Sequence, residues 1–117
     1  MLAVKHRLSS GYYIDRAKEK GKLYQFDNFG ICVYERPEKD KDKPTRFAFV
    51  VSTKVSSHAV DRNRVKRVLN ETIRYETKHL VTGYDVVFLT KKGITTMPTD
   101  VVMKQTKDAL KKIGIIT

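Results

Sequence analysis

The side chains best suited to chemistry form a short basic run at residues 61–67, which holds four cations. On a helix of about 100° per residue, its cationic and amide side chains continue along one side: Asn63, Lys66, Arg67, Asn70 and Arg74. An arginine fork donates two hydrogen bonds to a phosphate, and asparagine can both donate to and accept from a base edge or a 2′-hydroxyl. The run is therefore typical of a surface that binds nucleic acid.

The alternative is an ordinary solvated helix face. Such faces usually interleave Glu with Lys at i to i+4 spacing, so that the opposite charges pair. Here no acid lies between Arg62 and Asn70, which favours nucleic-acid binding over the alternative.

The whole chain carries a surplus of positive charge. Among 117 residues, 24 Lys and Arg oppose 13 Asp and Glu, and the formal net charge is +11. Such a surplus favours a polyanionic partner, with nucleic acid first and an anionic membrane surface second. The apolar side of the basic helix lacks the Trp and Phe of interfacial helices, and no window approaches the ~18 apolar residues that span a bilayer. We therefore expect no membrane partner.

Few residues are suited to catalysis or to metal binding. A protein-only nuclease would need converging carboxylates for Mg²⁺ or paired histidines, but His6, His58 and His79 are scattered and the acids concentrate in a loop. We therefore predict no metal site and no cleavage by the protein alone. A single cysteine, Cys32, suits a reducing cytoplasm, and the N-terminus lacks a signal-peptide pattern.

Seven elements in the order αβββαβα are predicted within a single nucleic-acid-binding domain, residues 1–117. They are a helix at 9–20, strands at 23–26, 29–34 and 46–52, a helix at 61–78, a strand at 84–89 and a helix at 98–113. Residues 35–45, rich in charge and proline, are predicted to form a solvated hairpin loop. This order predicts an α+β sandwich with a four-stranded mixed sheet, in which three antiparallel strands precede a helix that crosses over to a fourth, parallel strand.

Local signals predict how the helices pack and end. Gly21 is expected to end the first helix in the left-handed conformation, Asp61 to cap the basic helix, and Gly114 to stop the last one. Apolar spacing gives the basic helix a buried side made of Val65, Val68, Leu69, Thr72 and Ile73. The last helix has a corresponding side made of Val102, Thr106, Ala109, Leu110 and Ile113.

Two consecutive segments carry a family resemblance. Residues 51–55, Val-Ser-Thr-Lys-Val, and residues 59–67, Ala-Val-Asp-Arg-Asn-Arg-Val-Lys-Arg, closely resemble the signature of the bacterial ribonuclease P protein. That family has a strand ending in Val-Ser-x-Lys, a short loop, and Ala-Val-x-Arg-Asn-Arg-x-Lys-Arg on a helix. The resemblance implies a fold shared with some ribosomal proteins, with a left-handed βαβ crossover.

The resemblance also implies a division of labour. A catalytic RNA subunit, with Mg²⁺ at its active site, removes the 5′ leader of precursor tRNA, while one protein per RNA helps to hold the RNA and contacts the leader. The implied RNA-binding positions are Ser52, Lys54, Arg62, Asn63, Arg64, Lys66, Arg67 and Asn70. The implied leader cleft, between the first helix and the sheet, is lined by Tyr13, Ile14, Cys32, Tyr34 and Val50.

The sequence departs from the family pattern in three places. The loop 56–58 is one residue longer than usual, and Asn70 stands where a further arginine is common. Ile14 and Lys18 stand where two phenylalanines usually wall the cleft. Two binding proteins of other kinds remain as alternatives: a ribosomal protein of the same fold, and a DNA-binding regulator, although no helix-turn-helix or heptad seam is evident.

Overall fold

The computed structural model describes residues 2–117 and has the predicted αβββαβα order, which confirms the α+β fold. The main elements are α1 (Gly11–Lys20), β1 (Lys22–Gln25), β2 (Phe29–Glu35), β3 (Arg46–Val50), α2 (Ala59–Tyr75), β4 (Tyr84–Thr90) and α3 (Thr99–Lys112). Short 3₁₀ turns occupy Val4–His6, Glu38–Asp40, Thr77–His79 and Lys92–Thr96.

The four strands form one mixed sheet in the order β1-β2-β4-β3. β4 runs antiparallel to β2 and parallel to β3, so the predicted parallel pairing across the α2 crossover is confirmed. The predicted hairpin at residues 35–45 is wrong, because β4 lies between β2 and β3. In this central place both faces of β4 are covered, and Val86, Val87 and Phe88 are fully buried. The left-handed sense of the crossover stays a prediction.

Side chains alternate along each strand, and both faces of the sheet are covered. One face packs against α2 and α3 in the main core, which contains Phe29, Ile31 and Phe88. The other face packs against α1, where a smaller apolar cluster contains Ala17 of the helix and Val87 of the sheet. Two separate apolar clusters therefore hold the helices on the sheet: one holds α2 and α3 on one face, and the other holds α1 on the opposite face.

α2 buries the predicted side, and all five of its members are buried. Its start differs from the prediction, because the helix begins at Ala59 after His58, and Asp61 is not the cap. Asp61 lies inside the first turn, where its carboxylate accepts a hydrogen bond of 3.1 Å from the Ser56 hydroxyl. The helix also ends at Tyr75 rather than at residue 78, and a 3₁₀ turn follows it.

Glycines end two helices for different reasons. Gly114 follows α3, so the predicted stop is confirmed there, and its φ of +83° is the left-handed conformation that favours glycine. Gly21 is extended, with φ −77°, and the left-handed prediction is wrong. It must nevertheless be glycine, because a Cβ at this position would collide with the carbonyl oxygens of Ala17 and Val33.

The packing of α2 predicts that Leu69→Ala lowers the free energy of unfolding by about 2–5 kcal/mol, because Leu69 is 0% exposed and its loss leaves a cavity. Urea denaturation measures this change. Val60→Ala on the same helix is the control, because Val60 is 78% exposed and its replacement should change stability by less than about 0.5 kcal/mol. Equal losses in the two variants would contradict the described packing.

Candidate nucleic-acid interface

The side of α2 opposite its buried residues carries exposed cations. Asn63, Lys66, Arg67 and Arg74 are exposed, and Asn70 is half-buried. Within residues 2–117, neither Lys66 nor Arg67 forms an ion pair. Arg74, in contrast, pairs with Glu71 at 2.7 Å. The structure therefore brings the predicted cations together and leaves Lys66 and Arg67 available to an external anion.

The two arginines that flank Asn63 point back to the protein. Arg62 donates from Nη1 to the carbonyl of Ser56 at 2.9 Å. Arg64 donates from Nη2 to the carbonyl of Met97 at 3.0 Å and to the Thr99 hydroxyl at 3.1 Å. Both arginines thus fix the start of α2 to its surroundings, while each guanidinium keeps further N–H donors. Their contact with RNA stays a prediction.

Asn70, one of the three departures from the family pattern, uses its side-chain amide to hydrogen-bond its own helix. Its Nδ2 donates to the carbonyl of Lys66 at 2.8 Å. Such a bond holds the side chain along the helix surface. Asn70 therefore offers a neutral acceptor where the family commonly offers a long cation.

The turn between β3 and α2 positions the other two predicted RNA-binding residues. Ser52 and Lys54 are exposed, and the Val55 amide donates to the Ser52 carbonyl at 3.0 Å to close the turn. Val55 is buried in the main core, which anchors the turn from below. Lys54 is therefore held at the surface, between the end of β3 and the start of α2.

A buried carboxylate that the sequence reasoning missed ties α1 to the sheet. Asp85 of β4 is 0% exposed and accepts two hydrogen bonds from Arg46 of β3, at 2.8 and 2.9 Å. Arg16 of α1 donates to it at 3.2 Å, and Nε of Arg36 lies 3.8 Å away. A charged residue in an aliphatic strand needs a buried partner, and this was the signal available in the sequence.

One carboxylate does not satisfy three guanidinium groups. The Nε atoms of Arg16 and Arg36 are buried without a hydrogen-bond partner among the described residues. Burial lowers the pKa of Arg36, and the attraction of Asp85 partly offsets that effect. Arg36 also donates to the carbonyls of Lys43 and Pro44, at 3.0 and 2.6 Å, so it holds the 35–45 segment against the sheet.

Arg16 brings the two predicted cleft tyrosines together. Its guanidinium carbon lies 4.4 Å from the ring centroid of Tyr34 and 4.7 Å from that of Tyr13. Arg46 lies 4.9 Å from the Tyr13 ring. Both tyrosine rings therefore contact arginine guanidinium groups, which orient them.

The other predicted cleft residues separate into two environments. Ile14 and Val50 are half-buried and line, together with Asn70, a groove of about 270 Å³ between α1 and the edge strand β3. Cys32 is 2% exposed beneath α1, and burial raises the pKa of its thiol. The groove connects the predicted cleft to the cationic side of α2, whereas Cys32 contributes packing below it.

The three histidines lie in separate surroundings. His6 is buried, with Nδ1 2.9 Å from the carbonyl of Thr45, whereas His58 and His79 are exposed. Between residues 2 and 117, no three His, Cys, Asp or Glu side chains come together as metal ligands would. In the same part of the chain, every helix is too short or too polar to cross a bilayer.

Comparisons with known proteins give one consistent result. A model of the protein family described as Ribonuclease P matches residues 2–114. A relative from Finegoldia magna, named "Ribonuclease P protein component", is 37% identical over 92 residues, which cover 79% of this chain and 73% of that protein.

Two solved structures have a similar fold. The RNase P protein of Staphylococcus aureus has a TM-score of 0.85 at 21% identity, over 96% of this chain and 98% of that one. The RNase P protein of Thermotoga maritima has a TM-score of 0.77 at 23% identity, over 91% and 96% of the two chains.

The Asp85 cluster predicts that Asp85→Asn lowers the free energy of unfolding by about 3–5 kcal/mol, because three partly or fully buried arginines lose their shared counter-charge. Urea denaturation at neutral pH measures the loss.

Asp108→Asn is the matched control. Asp108 also pairs with a cation, Lys104 at 3.0 Å, but its side chain is 59% exposed, so little change is expected. If Asp85→Asn were as stable as Asp108→Asn, Asp85 would not be the anchor of α1.

Proposed function

Because the chain belongs to the ribonuclease P protein family, we propose that it binds the catalytic RNA of that enzyme through α2. In this role it assists removal of the 5′ leader from precursor tRNA. One protein acts with each RNA, in the cytoplasm.

The observation that carries this proposal is the exposed pair Lys66 and Arg67 on a helix whose opposite side is buried. A cation that has no partner within the protein loses little when it contacts a phosphate, because no internal ion pair has to break. Arg62 and Arg64 support the pair by fixing the start of α2 to Ser56 and Met97. The helix therefore meets the RNA as a rigid body, and binding has to order the side chains of Lys66 and Arg67 but not the backbone that carries them.

The groove beside α1 is the proposed place for the leader. Ile14 and Val50 give it apolar walls, and Asn70 gives it a polar rim that continues to the cations of α2. Tyr13 of α1 and Tyr34 of β2 both contact the guanidinium of Arg16. Aromatic rings with adjacent cations suit an unpaired strand, since bases stack on rings and phosphates pair with cations.

The protein's part in the reaction is binding and positioning. Mg²⁺ bound at the RNA active site would supply the hydrolytic chemistry. Lys54, Lys66 and Arg67 would screen phosphates of the RNA, and the groove would orient the leader. The cations lower the electrostatic repulsion between the catalytic RNA and the precursor tRNA, which are both polyanions.

The proposal predicts that the purified protein stimulates 5′-leader removal by a bacterial ribonuclease P RNA at low Mg²⁺. The Lys66→Ala, Arg67→Ala double variant should bind this RNA about a hundredfold more weakly or worse, because it loses two hydrogen bonds between charged groups, each worth roughly 1.5–3 kcal/mol. Its logarithmic salt dependence should also be less steep by roughly 1.5, for two lost phosphate contacts.

The control is the Lys104→Ala, Lys111→Ala double variant, which removes the same charge from exposed positions of α3. It should keep the affinity and the stimulation of the unaltered protein. Intact RNA binding without stimulation would instead favour a ribosomal or other structural RNA partner. Equal affinity for duplex DNA would favour a DNA-binding regulator.

A further inference from the structure

A second aromatic surface lies at the far end of α2, away from α1. Tyr75 is the last residue of the helix and is 67% exposed. It lines a groove of about 380 Å³ between α2 and α3, whose apolar floor includes Val68 and Met103. Neither the fold nor the proposed contacts of Lys66 and Arg67 require an aromatic ring at this place, because Tyr75 is mostly exposed.

Cations surround this ring. Arg64 and Arg67 line the same groove, and the guanidinium of Arg74 lies 5.4 Å from the centroid of the Tyr75 ring. One acid, Glu71, also lines the groove, but it pairs with Arg74 at 2.7 Å. The hydrogen bond from Arg74 lowers the pKa of Glu71, so this acid stays charged at neutral pH. Two arginines against one carboxylate give the groove lining a net charge of +1, and Arg74 beside the ring adds a further cation.

A nucleotide matches this combination better than a protein segment does. The apolar surface is small, whereas a docked helix needs a row of apolar pockets. A flat ring beside arginines offers a stacking surface for a base and donors for its phosphate. Arg67 belongs both to the groove and to the exposed side of α2, and it lies eight residues, or about 12 Å along the helix, from Tyr75.

We propose that an unpaired nucleotide of the RNA bound by α2 stacks on Tyr75 and places a phosphate on Arg67. The inference rests on the proposed function, because the nucleotide belongs to the same catalytic RNA. It extends the RNA interface from the start of α2 along the whole helix to the groove with α3.

The test measures the affinity of the full-length protein for a bacterial ribonuclease P RNA without precursor tRNA. Tyr75→Ala should weaken binding by about 5- to 150-fold, the range expected for the loss of one base–aromatic stack. Tyr75→Phe should bind as the unaltered protein does, because it keeps the ring. The salt dependence should not change in Tyr75→Ala, because no charge is removed.

Two further variants control for folding and for general loss of a tyrosine. Tyr75→Leu keeps apolar volume and helix propensity but has no ring, so it should melt near the unaltered protein and still bind as weakly as Tyr75→Ala. Tyr24→Ala removes a tyrosine that also has a cation beside it, Lys22 at 5.1 Å, but lies on the edge strand β1. Tyr24→Ala should bind normally.

The outcomes separate this inference from the proposed function. If Lys66→Ala, Arg67→Ala weakens binding while Tyr75→Ala and Tyr75→Leu do not, only the stacking site is overturned. The same holds if Tyr75→Phe fails like Tyr75→Ala, or if Tyr75 variants change self-association in sedimentation and leave RNA affinity intact. If the unaltered protein does not bind the RNA, both proposals are overturned.

Discussion

The burial of one side of α2 against the sheet determines where every other side chain of that helix points. Leu69 and Ile73 are fully buried, and α2 cannot rotate about its axis without exposing them. The opposite side must therefore face solvent, and within residues 2–117 neither Lys66 nor Arg67 of that side forms an ion pair. The same packing sets the groove with α3, because Val68 and Met103 meet at its floor. Both proposed RNA contacts thus depend on one apolar interface.

The net positive charge of the chain opposes the folded state. A net charge of +11 on 117 residues repels itself in the compact state. Two acids pair with arginines inside the protein. Asp85 pairs with three arginines between α1 and the sheet, and Glu71 pairs with Arg74. Among the residues that the structure describes, Lys66 and Arg67 of α2 have no such partner, and they are better stabilised by an external polyanion than by the protein. Charge that is costly to the free protein is therefore the charge best suited to RNA.

The elements with strong local periodicity could be predicted from the sequence. The buried sides of α2 and α3 follow from 3.6-residue spacing, and four of the five residues predicted for α3 are fully buried, with Ile113 half-buried at its end. The family resemblance supplied the fold and the positions of the proposed contacts. The strand order could not be read in the same way. Pairing between β2 and β4 joins residues 49 to 61 positions apart, and no local pattern distinguishes it from a hairpin between β2 and β3.

The contacts of individual side chains could not be predicted from the sequence either. Arg62 and Arg64 look equivalent to Arg67 in the motif, yet their directions depend on where Ser56 and Met97 lie in space. Cys32 shares its side of β2 with Tyr34, but α1 covers one and only borders the other. Asp85 could have been noticed as a charge in an aliphatic strand, although its arginine partners come from three separate segments. In each case the deciding contact is long-range, and spacing within a motif does not encode it.

The central claim is that the exposed side of α2 contacts the catalytic RNA, and cross-linking tests it most directly. A photoreactive amino acid would be placed at Asn63, on that side, and in a second protein at Lys104, whose side chain on α3 is 77% exposed. The account predicts that irradiation of each complex with the RNA gives cross-links from position 63 and few or none from position 104. Cross-links from position 104 alone, or equally from both positions, would contradict it.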